Sequence, residues 1–127
     1  QQSVLILGLD DLKTTAKEVA PALTRYKMWL LQKELHDAFT EASFQQRLTQ
    51  LDEELSRTCE QEVRREQLLE LHADLVLSTQ ISVVSRHGFA SSVVGVNRML
   101  LEVERLACED AEIHIMSKKA EALIALP

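Results

Sequence analysis

SRHGFASSVVGVNRMLLEVE, residues 85–104, decides how the chain is read. Its first half is small and polar and holds Gly88 and Gly95. Its second half is a strongly apolar helical pattern. Either His87 is a reactive histidine at a helix start, or the stretch is a turn between two helices. The second reading accounts for each residue. Gly88 supplies a helix stop. Arg86 and His87 fall in the last turn before it, where positive charge suits the helix dipole. Ser91 or Ser92 caps the next helix, and Gly95 allows close helix approach. A turn near residues 86–92 is therefore expected.

Downstream of that turn, Val96, Met99, Val103, Leu106, Asp110, Ile113, Ser117, Ala120 and Ile124 alternate in steps of 3 and 4. This predicts one helix from about Ser91 to Ala125. Leu100, Ala107 and Ala111 form a second apolar row, and a stripe that wide faces a multi-helix core. Upstream, Leu68, Leu71 and Leu75, with Leu69, Val76 and Val83, predict another helix. Before it, residues 56–62 are poorly apolar. They are read either as an exposed stretch of one long helix or as a turn, with Ser56 or Thr58 capping and Thr58-x-x-Gln61 fitting a capping box.

The first third carries an unbroken heptad seam: Leu5, Leu9, Leu12, Ala16, Val19, Leu23, Tyr26 and Leu30. Pro21 lies inside it, so either a kink or a break is expected near 19–21. Residues 3–9 read as strand or helix, with helix preferred. The seam then slips register, to Leu31, Leu35, Ala38 and Ala42, and again to Phe44, Leu48, Leu51 and Leu55. Between Ala22 and His87 there is no Gly or Pro. One helix from about Pro21 to Arg57, about 55 Å long at 1.5 Å per residue, is therefore expected.

Composition supports this. The chain has 127 residues, 46% apolar and 27% charged, with only three Gly, two Pro and 4% aromatics. That is the size of one domain, 1–127, folded and helix-rich. The first residue is Gln, which fits a piece of a longer protein. The net charge is −6, which disfavours nucleic acid and anionic membrane surfaces. Residues 52–74 carry eight acids and three bases, read as a solvated face. The apolar run Val4–Leu7 is too short for membrane insertion. Two cysteines, Cys59 and Cys108, make no disulfide framework, so an intracellular, cytoplasmic setting is expected.

Chemistry is sparse. In having an isolated His87 in an all-helical chain, the stretch resembles histidine phosphotransfer domains, which implies a phosphoryl-accepting His87. It departs from that pattern where a basic residue and a glycine should follow, since Ala90 and Ser91 stand there, and Gly95 falls two residues early. His36, His72, His87 and His114 lack a Glu three residues before them, so the di-iron spacing is missing, and there is no His-Glu-x-x-His or Cys-x-x-Cys. Cys59 and Cys108 sit among acids, which raises a thiol pKa and lowers its reactivity. No enzyme, metal or cofactor is expected.

RYKMWLLQKELHDAF, residues 25–39, is the strongest candidate site. Tyr26, Met28, Trp29, Leu30 and Lys33 resemble the composition of interface hot spots, and Met99 and Leu100 add a second candidate patch. Arg25, Lys27 and Lys33 rim the first, a complement to an acidic partner surface. The expected fold is all-α: an antiparallel helical bundle or hairpin of three to five helices, two of them long, with coiled-coil-like packing. The expected function is a non-catalytic scaffold or adaptor module. Its partner is another helical protein or itself, as a dimer or helix-swapped oligomer. Two alternatives stand beside it, a small acidic helical chaperone for a secretion or assembly partner, and the phosphotransfer domain.

Overall fold

The structure is a computed structural model that describes residues 23–58 and 60–126. The expectations for residues 3–9 and 19–21, the seam from Leu5 to Val19, and Cys59 lie outside the described residues. The described secondary structure is all helical, with no strand among the described residues. The α-helices are α1 (Arg25–Phe39), α2 (Ala42–Arg57), α3 (Glu62–Val84), α4 (Val93–Ala107) and α5 (Ala111–Ile124), with a 3-10 turn at Ser85–His87.

The single helix expected over residues 21–57 is instead two. Thr24 caps α1, its Oγ1 accepting from Lys27 N–H at 3.2 Å. Thr40 closes α1 by turning its hydroxyl onto the carbonyls of His36 and Asp37, at 2.9 and 3.0 Å. Gln45 Nε2 donates to the Phe39 carbonyl at 2.6 Å. These side chains replace the Gly or Pro that the sequence lacks there. Packing supplies the reason for the break. Phe39 and Phe44, five positions apart, would point about 140° apart on one straight helix. The break lets both enter the core, with ring centroids 5.2 Å apart.

The helix expected from 91 to 125 is also two. Asp110, a polar member of the 3/4-spaced seam, is the N-cap of α5. Its Oδ1 accepts from Glu112 N–H at 3.0 Å and Ile113 N–H at 3.3 Å. Between residues 56 and 62, Thr58 ends α2 rather than capping α3, its hydroxyl donating to the Glu54 carbonyl at 2.9 Å. Gln61 precedes α3 without a side-chain cap bond. At the 86–92 turn, Gly88 takes φ +88°, the left-handed stop that glycine permits. Ser92 precedes α4 but makes no side-chain cap bond. Gly95 accommodates the loop rather than another helix: a Cβ there would lie 1.8 Å from the Ala90 carbonyl oxygen.

One core unites the helices. It takes Met28, Leu31, Leu35 and Phe39 from α1, Phe44 and Leu48 from α2, and Val76, Val83 and Val84 from α3. Phe89, Val96, Met99, Val103, Leu106 and Ile113 complete it. Helices α1 and α5 run side by side in the same direction: Arg25 at the start of α1 meets Glu109 just before α5, Gln32 meets Ile113, and Gln45 of α2 donates to the carbonyls of both Phe39 at the end of α1 and Leu123 near the end of α5. Helices α2 and α3 form an antiparallel hairpin, pinned near its turn by an Arg64–Glu54 ion pair of 2.5 Å.

Candidate partner-binding face

Helix α1 has two apolar faces. Met28, Leu31, Gln32, Leu35 and Phe39 face the core. Tyr26, Trp29, Leu30 and Lys33, at i, i+3, i+4 and i+7, share the opposite side. There Tyr26 is 68% exposed, and Trp29 and Leu30 are each 37% exposed. The Lys33 ammonium lies 6.0 Å from the Trp29 ring centroid, within cation–π range. Helix α5 bears Ile115, which is also exposed.

The α1 face is held in place from below. Gln32 is buried, and its Nε2 donates to the Ile113 carbonyl at 3.0 Å. At the start of α1, Glu102 accepts from Leu23 N–H at 3.3 Å and from Arg105 Nη2 at 2.7 Å. That bond to Glu102 raises the Arg105 guanidinium above its ordinary value. Beside the face, Arg25, Tyr26, Trp29, Asp110, Glu112 and Ile113 line a shallow cleft of about 230 Å³ between the starts of α1 and α5.

The remaining sequence candidates divide. Met28 and Met99 are fully buried and belong to the core, so neither can touch a partner in this fold. Leu100 is half-buried and packs against that core. The basic rim is altered at Arg25, because the α4–α5 connection and the start of α5 bring acids alongside it. Arg25 is paired with Glu109 at 3.1 Å, and Asp110 and Glu112 line the same cleft. Comparison with family models, with curated proteins and with solved structures finds no match to this chain. The face therefore has to be interpreted from its own chemistry.

His87 is part of a clamp. Its Nε2 lies 2.7 Å from Glu34 Oε1, and Arg86 Nε donates to Glu34 Oε2 at 2.5 Å. Glu34 thereby ties α1 to the corner between α3 and α4. The His87 hydrogen bond, followed by the hydrogen bond and charge of Arg86, holds the Glu34 carboxyl below its ordinary pKa against the effect of burial. Sequence reading found His87 and Arg86 but not Glu34, which lies more than fifty positions away and has no local signature.

Arg98 is a second feature the sequence hid. It is buried on α4, stacked 5.1 Å from the Phe89 ring centroid, and its Nε and Nη1 have no hydrogen-bond partner among the described residues. Burial pushes its pKa below the ordinary value, partly opposed by the charge of Glu102. Among the described residues no group of three His, Cys, Asp or Glu side chains could hold a metal ion. Cys108 is exposed, and its Sγ lies 3.4 Å from the Glu104 carbonyl. No described helix is long and apolar enough to cross a membrane.

Proposed function

We propose that the chain is a non-catalytic protein–protein interaction module that works through helix–helix contacts made by the outer face of α1. One observation carries this reading: Tyr26, Trp29 and Leu30 form an exposed strip on the side of α1 opposite its own core row. Burying such side chains stabilises a contact by roughly 25 cal/mol per Å² of apolar area removed from water. Tyrosine and tryptophan are also the residue types that dominate binding energy at interfaces. Continuity in the sequence adds to the case. Tyr26 and Leu30 are the last two members of the heptad seam that begins at Leu5, and a seam of that period suits a second helix.

The proposed architecture is a helical bundle with coiled-coil-like packing, in an intracellular setting where the cysteines stay reduced. The partner is another helical subunit or a second copy. A chaperone that captures an unstructured apolar segment is the alternative, and the same strip would serve it. Phosphotransfer has less support, because a carboxylate lies 2.7 Å from His87 Nε2 and would repel an incoming phosphoryl group.

The test is solution mass by light scattering across a concentration series, for wild type and for Leu30→Glu, alone and with candidate helical partners. Association of the wild type should be lost in the variant while circular dichroism keeps its helical signal. A variant that associates as well as wild type would sink the reading.

A further inference from the structure

We propose that the cleft between the starts of α1 and α5 receives a lysine or arginine side chain from the partner helix, flanked there by apolar residues. This rests on the reading of the α1 face as a binding surface, and it specifies the partner's charge. Two walls of the cleft are aromatic, Tyr26 and Trp29, with Ile113 buried beneath. The polar lining is Arg25, Asp110 and Glu112. Arg25 is already paired with Glu109 at 3.1 Å, and Asp110 accepts two backbone N–H bonds at the start of α5. Glu112 has no ion-pair or hydrogen-bond partner for its carboxylate among the described residues.

The uncommitted charge at the cleft is therefore negative, and Tyr26 and Trp29 line the cleft beside it. A cation over an aromatic ring with a carboxylate in reach is favoured by both groups. A carboxylate in the same place would meet repulsion from Glu112 and from the rings. The Trp29 ring already takes one cation, the Lys33 ammonium 6.0 Å from its centroid. An apolar side chain three or four residues from the partner's cation would lie along Tyr26 and Leu30.

Trp29 lines the cleft and is the chain's only tryptophan, so its fluorescence reports occupancy directly. The experiment titrates the full chain with two synthetic amphipathic helical peptides that differ only in carrying Lys or Glu beside the same leucine row. The Lys peptide should shift Trp29 emission, and Glu112→Lys should weaken it by at least about tenfold. Glu66→Lys, the same charge change on the exposed side of α3, should alter binding by no more than about twofold. Equal or tighter binding of the Glu peptide overturns the proposed charge while leaving the face reading intact. If neither peptide moves the emission, yet Leu30→Glu still abolishes association seen by light scattering, the cleft proposal fails alone. If there is neither a peptide response nor association, both fall.

Discussion

A Cβ at position 95 would sit 1.8 Å from the Ala90 carbonyl oxygen, which also accepts the Ser92 N–H at 2.9 Å. The clash is with backbone, so Gly95→Ala must displace the loop itself. Its expected cost is about 3 kcal/mol, at the upper end of overpacking effects. Gly88 differs: its φ is +88° but nothing lies within 4 Å of an added Cβ. Gly88→Ala should cost only about 1 kcal/mol of left-handed strain. Urea unfolding of both variants separates the two mechanisms, and equal losses would contradict the loop geometry. Glu34 gives a pH signature. Its folded pKa lies below the ordinary carboxyl value, so its contribution is fully present above the unfolded pKa. It is lost as pH falls from there through the folded pKa. The carboxylate is a third exposed, so the gain should be at most about 1 kcal/mol. Glu34→Gln should therefore lower stability at neutral pH and flatten its decline on acidification. An unchanged acid limb in the denaturation series would show that the clamp contributes nothing.

The helix boundaries turn on single side chains. Asp110 caps two N–H groups at the start of α5, so Asp110→Ala should cost about 1 kcal/mol. Asp110→Asn should recover most of it, because the amide oxygen can still accept. Thermal unfolding distinguishes the two, and equal losses would mean that charge, not capping, is at work. The same residue shows where sequence reading was limited. Helical periodicity identified the all-helical class and most of the core, because steps of 3 and 4 report one buried face whatever the connectivity. Periodicity cannot see a turn whose length happens to preserve the step. From Leu106 to Asp110 to Ile113 the spacing stays at 4 and 3, although the chain leaves one helix and starts another. At Thr40 the sequence did carry a clue, the register slip between Ala42 and Phe44. Without a glycine or proline nearby, that slip looked like a stutter. The capping hydroxyl of Thr40 acts within its own turn, where a threonine is no distinctive stop signal, and the reach of Gln45 to Leu123 acts only across the fold.

At the scale of the whole molecule, one α1 segment was legible as a candidate site, but its two sides were not separable. Sequence placed Met28 beside Trp29; the structure buries Met28 fully in the core and leaves Trp29 partly exposed at the surface. Charge was less legible still. The bases around Trp29 are local in sequence, whereas Glu109, which pairs with Arg25, arrives from more than eighty positions away. The distribution of the core also implies uneven stability. The main apolar cluster draws on α2 only at Phe44 and Leu48 and on α3 only from Leu75 onward. Beyond it, α2 and α3 continue towards their turn as a two-helix hairpin. Leu55 and Leu68 are buried there but stand apart from the main cluster, while Val63, Leu69 and Leu71 are exposed. Local opening follows the density of buried apolar contacts. Amides of residues 51–57 and 62–70 should therefore exchange with solvent by opening of the hairpin end, faster by at least about tenfold than those of residues 76–84, which need the core to open. Hydrogen exchange read by mass spectrometry across these peptides makes the comparison within α3 itself, so differences between helices do not enter. Uniform protection along α3 would show that the hairpin and the core unfold as one unit.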